Sequence, residues 1–304
     1  MKMRQVEQPK GVRVKRRLII NTDAKNEADD QYAIVHALLS PSLQVEGIVP
    51  AHFGNARSAH SMQDSREEVD LLLRLLGMGD VVVANGATHG MPDIDTPVDS
   101  DGARLIISEA HKPGPLFVIF LGPLTDMASA LLIDPTIADN PELTVVWIGG
   151  TPYGDVAGGE AHGEFNLSND VASANVVFQS RLRVWQIPMS VYTMVAVSYA
   201  ELDEKVAPHG ELGEYLVRQL KEFNAANLDP EIEYRSLGDS PAVSVVLNPH
   251  GAVWRHRPVH VFGDDARMSS VVVEGRSVLV ADSVDVRFLL EDMFAKIKTH
   301  AAKK

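Results

Sequence analysis

The chain of 304 residues contains no cysteine. This absence excludes disulfide bonds, thiolate metal ligands and a cysteine nucleophile. Basic residues are also in deficit, with 28 Lys and Arg against 41 Asp and Glu, and the formal net charge is −13. Because nucleic acids are bound by a surplus of positive charge on one face, the balance argues against a nucleic-acid partner and favours small molecules or metal ions.

Long apolar runs are missing as well. No segment reaches the length needed to span a bilayer, and the basic N-terminal stretch lacks the apolar core of a signal peptide. We therefore expect no membrane partner and a cytoplasmic location. Residues 1–16 and 299–304 are expected to be flexible ends, and residues 17–298 a single folded domain.

What is present is an alternation of short apolar runs, rich in β-branched residues, with longer segments of helical period. This order predicts a single α/β domain with a mostly parallel central sheet flanked by helices. The predicted strands are 17–21, 44–51, 81–85, 116–121, 143–149 and 183–188. The predicted helices are 29–39, 65–76, 102–110, 124–132, 170–179 and 210–227, followed by a strand pair around 259–262 and 269–275.

Four acids crowd the segment that follows the first predicted strand: Asp23, Glu27, Asp29 and Asp30. Ligands of open α/β sheets bind at the carboxyl ends of the strands, so these acids fall where a site is expected. Capping of the next helix would explain Asp29 and Asp30, but Asp23 lies six positions before Asp29. Clustered carboxylates are the ligands that Ca²⁺ and Mg²⁺ prefer, and the segment therefore indicates a metal site.

Five blocks of the sequence resemble, in order, the motifs of inosine-uridine type nucleoside hydrolases. They are NTDAKNEADD (21–30), where the family has DTDxxxDD; IVPAHFGN (48–55); LGPLTDMASALLIDP (121–135), where the family has TGPLTN; GEFNLSNDVASANVVF (163–178); and GDSPAVSVVLNP (238–249). The resemblance extends over residues 17–249. It implies the fold of that family, a mostly parallel Rossmann-like sheet flanked by helices in one domain.

The resemblance also implies an activity and a set of site residues. The activity is hydrolysis of the N-glycosidic bond of ribonucleosides to free base and ribose, with Asp23 as general base toward a water held by Ca²⁺, which is expected in preference to Mg²⁺. The implied metal ligands are the side chains of Asp23, Asp30 and Asp239 and the backbone carbonyl of Leu121. The implied ribose contacts are Asp29, Asn55, Glu164 and Asn166. Relatives form oligomers, so a homo-dimer or tetramer is expected.

The chain departs from the family pattern in the acidic segment. Asn21 replaces the opening Asp, and the loop between Asp23 and Asp29 is two residues longer. The added charges Lys25 and Glu27 are interpreted as solvated loop residues. The glycine-rich segment 149–160 lacks the spacing of a phosphate-binding loop and is interpreted as a mobile flap over the site.

A second departure concerns the leaving group. Gly238 stands where many members carry a His that is proposed to protonate the departing base. By chemical type the candidates for a replacement are His52, His89, His162, Tyr192 and Arg235.

Three alternatives follow from these departures. Loss of leaving-group activation permits a non-catalytic nucleoside- or sugar-binding protein, and the longer loop permits a hydrolase of a related non-nucleoside glycoside. A Mg²⁺-dependent phosphohydrolase with Asp23 as covalent nucleophile is the third. It requires a second Asp two residues from the first, whereas these positions hold Asn21 and Lys25.

Overall fold

The computed structural model describes residues 15–151, 163–229 and 231–303. Its strands are β1 (Arg16–Thr22), β2 (Leu43–Pro50), β3 (Leu116–Phe120), β4 (Leu143–Ile148), β5 (Arg183–Ile187), β6 (Ala196–Ser198), β7 (Tyr234–Ser236), β8 (Ala252–Phe262) and β9 (Met268–Val284). Its α-helices are α1 (Asp30–Leu38), α2 (Ser61–Leu76), α3 (Asp101–Ala110), α4 (Thr125–Ile133), α5 (Phe165–Asn169), α6 (Val171–Gln179), α7 (Met189–Tyr192), α8 (Tyr199–Lys205), α9 (Gly210–Asn227), α10 (Ser240–Leu247) and α11 (Val286–Ala301). Two 3-10 turns follow α4 and α10, at Pro135–Asp139 and Pro249–Gly251.

Seven strands form one sheet in the order β2-β1-β3-β4-β5-β9-β8. All neighbouring strands from β2 to β9 are parallel, and only the edge strand β8 runs antiparallel to its neighbour. A separate antiparallel ribbon joins β6 to β7. The prediction of an α/β domain with a mostly parallel central sheet is confirmed.

Helices cover both faces of this sheet. In β1, the side chains of Leu18 and Ile20 belong to the core that α1, α10 and α11 complete, whereas Ile19 belongs to the core on the other face, completed by α3, α4 and α6. In β4, Val146 and Trp147 divide between the faces in the same way. Strands buried on both faces are apolar throughout, which is why the sequence pattern located them.

Most predicted elements are present, but their bounds differ at several places. Helix α2 begins four residues earlier than predicted, and β8 and β9 are longer than the predicted pair 259–262 and 269–275. Segment 81–85 is not a strand, because its backbone meets β2 at a single bridge between Ile48 and Val83. The C-terminal helix continues to Ala301, so the first residues of the expected flexible tail 299–304 are helical. Residues 1–14 and most of the predicted flap lie outside the described residues. Within the described residues, no helix is long and apolar enough to cross a membrane.

The carboxyl end of β1 is fastened to α4 by two buried side chains. The Nδ2 of Asn21 donates to Oδ2 of Asp126 at 2.8 Å, and Oδ1 of Asp126 accepts from the Ala87 amide at 2.9 Å and from the Ser100 hydroxyl at 2.6 Å. Asn21 and Asp126 both depart from the family pattern, which has Asp at the first of these positions and Asn at the second. The chain therefore keeps one carboxylate and one amide but exchanges their places.

This exchange predicts a reciprocal effect of two substitutions. Asn21→Asp sets a second carboxyl group against Asp126 in a buried site and should lower the free energy of unfolding by about 2 kcal/mol or more. Adding Asp126→Asn restores an amide donor at one position and a carboxylate acceptor at the other. The double variant should therefore recover most of the lost free energy of unfolding. Urea unfolding of the four proteins measures the coupling. Additive losses would show that the two side chains do not act as a pair.

Candidate active site

A cavity lies where the carboxyl ends of β1, β3 and β4 meet. Its lining residues are Asp23, Asn26, Glu27, Asp29, Asp30, Leu121, Ile148, Glu164, Phe165, Asn166, Tyr192, Gly238 and Asp239. Seven of the eight residues expected at the site are among them. The eighth, Asn55, has an exposed side chain and does not line the cavity. Its contact with ribose stays a prediction.

The acids occupy the ends of elements without capping them. Asp23 directly follows β1, while Asp29 and Asp239 precede α1 and α10. Neither Asp29 nor Asp239 accepts a side-chain hydrogen bond from the first turn of its helix. Helix capping therefore does not account for these carboxylates, and their oxygens turn into the cavity instead.

Four carboxyl groups crowd the floor of the cavity. One carboxylate oxygen from each of Asp29, Asp30 and Asp239 lies within 4.8 Å of the other two. Oδ1 of Asp30 accepts from the Thr22 hydroxyl. Oδ2 of Asp23 is buried and has no hydrogen-bond partner. Buried acceptors without donors are what a hard cation requires, so the donor set fits a divalent metal ion with oxygen ligands.

The crowding raises the pKa values of all four carboxyl groups. Burial, with the charge of Asp30 next, raises the pKa of Asp23 well above its usual range. Burial and the charges of Asp30 and Asp29 do the same for the pKa of Asp239. Burial raises the pKa of Asp29 to about 7, despite the opposing effect of Arg235, and that of Asp30 to about 6. Each carboxylate resists ionisation while the others are charged and no cation is near.

Two of the residues predicted to contact ribose, Asn166 and Glu164, are held by the ends of β3 and β4. Asn166 donates through Nδ2 to the carbonyl oxygens of Leu121, at 2.6 Å, and Ile148, at 2.9 Å. The carboxylate of Glu164 accepts from the backbone amide of Gly150 at 2.8 Å and from the hydroxyl of Tyr192 at 2.9 Å. It also caps α5, so both side chains are fixed in orientation before any ligand binds.

Tyr192 occupies the space that Gly238 leaves. A Cβ at position 238 would lie 3.1 Å from the Tyr192 ring and 3.3 Å from Oδ2 of Asp29. The glycine therefore allows the aromatic ring to approach, and the ring carries its hydroxyl to Glu164. Among the five candidates for a leaving-group acid, Tyr192 is the one that lines the cavity within the described residues.

The other candidates lie elsewhere. His52 is buried, its Nε2 lies 2.8 Å from the hydroxyl of Thr125, and burial lowers its pKa to about 4, so it is neutral at physiological pH. His89 is exposed, and His162 lies outside the described residues. Arg235 is buried behind the cavity wall and pairs with acids of the loop.

The structure of the longer loop differs from the expectation that Lys25 and Glu27 are both solvated. Glu27 lines the cavity and forms an ion pair with Arg235. Lys25 is half-exposed, yet its Nζ lies 2.9 Å from Oε2 of the buried Glu68. The interpretation was wrong for Glu27, because a turn between Asp23 and Asn26 bends the loop back over the site. The partners, Arg235 and Glu68, are distant in sequence and carry no motif.

Comparison with known proteins agrees with this geometry. The model of the family described as inosine-uridine preferring nucleoside hydrolase matches residues 18–291. The chain belongs to this family. As a member, it is an N-glycosyl hydrolase rather than a phosphohydrolase.

Relatives of this nucleoside hydrolase are distant. A probable uridine nucleosidase 2 of Arabidopsis thaliana is 27% identical over 233 residues, which cover 68% of this chain and 69% of that protein. An inosine-uridine preferring nucleoside hydrolase of Leishmania major is 23% identical over 290 residues, 87% of each chain. The solved structure of a purine-preferring ribonucleoside hydrolase from Gardnerella vaginalis superposes with a TM-score of 0.77 at 24% identity, covering 95% of this chain and 100% of that one. This superposition confirms the fold.

The raised pKa values predict how stability depends on pH without metal. A carboxyl group with a higher pKa in the folded state binds more protons folded than unfolded, so its contribution is present at low pH and lost as pH rises through the folded pKa. For Asp29 the window runs from 3.8 to about 7. In chelator, the free energy of unfolding should therefore fall as the pH rises from 3.8 to about 7.

Asp29→Asn is the matched control for this prediction, because it removes one titrating group at nearly constant volume. The variant should have a flatter pH dependence in chelator, and Ca²⁺ should stabilise the unaltered protein more at the upper pH than at the lower one. Thermal unfolding at both pH values measures each effect. Equal pH slopes for the two proteins would contradict the assignment of Asp29.

Proposed function

We propose that this nucleoside hydrolase is a Ca²⁺-dependent enzyme that cleaves the N-glycosidic bond of ribonucleosides to free base and ribose. The observation that carries the proposal is the buried, partnerless Oδ2 of Asp23 beside the crowded carboxyl groups of Asp29, Asp30 and Asp239. The activities for which the relatives are named, among them uridine nucleosidase, support ribonucleosides as the substrate class.

The metal would be held by the carboxylates of Asp23, Asp30 and Asp239 and by the carbonyl oxygen of Leu121. When bound, it neutralises the acids, lowers the pKa of a coordinated water and orients the sugar hydroxyls. Ca²⁺ is preferred over Mg²⁺ because it accepts many oxygen ligands in irregular geometry.

The chain's own residues then divide the work. Asp23 accepts the proton of the attacking water at Oδ2, the oxygen that has no other partner. Asp29, Glu164 and the amide oxygen of Asn166 accept hydrogen bonds from the ribose hydroxyls, and Asn55 would join them. Because Glu164 and Asn166 are already fixed by the backbone, the sugar is oriented at little entropic cost as its ring flattens toward the oxocarbenium-like transition state.

The residues on the leaving-group side of the cavity support a second candidate function. No histidine lines the cavity within the described part of the chain, and the hydroxyl of Tyr192 is committed to Glu164. A protein that binds nucleosides or sugars without cleaving them, or a hydrolase of a related non-nucleoside glycoside, would tolerate this arrangement. From the resemblance we further propose a homo-dimer or tetramer in the cytoplasm.

Asp23→Asn tests the proposed reaction. The substitution preserves the shape of the side chain but removes the proton acceptor, so kcat on uridine or inosine should fall by about 10²-fold to 10⁴-fold while the fold persists. The matched control is Asp80→Asn, the same change at an exposed position away from the cavity, which should keep the unaltered rate.

Release of base, measured with and without a chelator, separates the alternatives. An Asp23→Asn protein with unaltered turnover would contradict the role of Asp23. Tight nucleoside binding by the unaltered protein, with no release of base in Ca²⁺, would favour the binding protein.

A further inference from the structure

The cavity has a floor of buried acids and a more open mouth. Asp23 and Asp239 on the floor are 1% and 6% exposed, whereas the side chain of Glu27 is 34% exposed. Phe165 and Tyr192 are half-buried beside it. This inference rests on the proposed function: if ribose binds against the floor, the base attached to it lies toward Glu27, Phe165 and Tyr192.

Glu27 is fixed in place at this mouth. Its Oε2 is bound by Nη2 of Arg235, whose own side chain is only 10% exposed and whose guanidinium lies 5.2 Å from the centroid of the Phe223 ring. Arg57 approaches the other oxygen, Oε1, at 3.7 Å. A carboxylate held by buried and stacked partners presents its charge in one orientation, without the entropic cost of ordering a free side chain.

Arg57 also fastens the loop that carries Glu27. It donates through Nη1 to the backbone oxygen of Asn26 at 2.8 Å and to Oδ1 of Asn26 at 2.6 Å, and its guanidinium lies 5.0 Å from the centroid of the Phe165 ring. Asn26 and Glu27, both in the lengthened loop, therefore form part of the cavity wall. At Oε1 of Glu27 the only cation within salt-bridge range among the described residues is Arg57, at a distance too long for a hydrogen bond.

Among the described residues, the same wall offers little help to a neutral leaving group. Breaking the bond between C1′ and nitrogen leaves the electron pair on the base, and a neutral base needs a proton to depart easily. Gly238 supplies none, and the hydroxyl of Tyr192 already donates to Glu164. A base that carries a fixed positive charge needs no proton, because the electron pair from the broken bond neutralises it.

We propose that Glu27 is a specificity-determining residue that favours N-ribosides with a cationic base, such as a pyridinium or a ring-methylated purine. The carboxylate attracts the positive ring across the mouth of the cavity. In the reaction the C1′–N bond breaks, its electron pair neutralises the ring, the water oxygen bonds to C1′, and the proton of the water goes to Asp23. Atoms and charge balance without a leaving-group acid.

Glu27→Gln tests the proposal, since it removes the charge and keeps the size of the side chain. The probes are nicotinamide riboside against uridine, and 7-methylguanosine against guanosine, at saturating Ca²⁺. The ratio of kcat/KM for the cationic over the neutral member of each pair should fall about tenfold in the variant. Glu67→Gln, the same change at an exposed position of α2 outside the cavity, is the matched control and should leave the ratio unaltered.

The comparison separates this inference from the proposed function. If Glu27→Gln slows both members of each pair equally, Glu27 acts only through Arg235 and the proposal is overturned, while the hydrolase stands. If the unaltered protein releases no base from any probe, the proposed function fails. In that case calorimetry measures the affinities of the unaltered protein and of Glu27→Gln for nicotinamide riboside and for uridine. The quantity that decides the inference is the ratio of the affinity for the cationic ligand to that for the neutral one. An unchanged ratio overturns it, and a fall of about tenfold supports it.

Discussion

The mutual repulsion of buried carboxylates at the carboxyl end of β1 is the constraint on which the site depends. Asp23, Asp29 and Asp30 lie within eight positions of the chain, whereas Asp239 immediately precedes α10, and all four buried carboxyl groups line the same cavity. Such a cluster is unfavourable in isolation, because burial and like charges both oppose ionisation. A divalent cation reverses the sign of this interaction. The fold thus stores an unfavourable arrangement that metal binding relieves.

The surrounding structure holds this arrangement in place. Asn21 and Asp126 fix the end of β1 against α4. Gly122 follows β3 at a point where a Cβ would lie 2.8 Å from the carboxylate of Asp23, so the close approach of the two strand ends requires glycine. Because residue 238 is a glycine, the ring of Tyr192 can pack close to the backbone there. Gly122 and Gly238 therefore allow the backbone to pass close to the buried carboxyl groups.

Much of this could be predicted from the sequence, and the limits have physical causes. Strands buried on both faces are continuous apolar runs, and acids that follow them fall at the carboxyl edge of the sheet, which is why the acids after β1 were expected at a site. Leu121 and Glu164 were expected there from the resemblance to the family blocks. The pairing of Glu27 with Arg235 joins residues 208 positions apart and leaves no local pattern. Asn55 shows the opposite limit: it matches a family block, yet its side chain lies outside the cavity. Segment 81–85 has the composition of a strand but meets its neighbour at only one bridge.

If the crowded acids form one cation site that also binds the sugar, a crystal structure of the protein soaked with Ca²⁺ and ribose should show it in the anomalous signal of calcium. We expect one calcium peak in contact with Asp23, Asp30, Asp239 and the carbonyl of Leu121, with the ribose hydroxyls on its open side. No peak among these four groups at saturating Ca²⁺, or ribose bound away from them, would show that the acids do not form such a site.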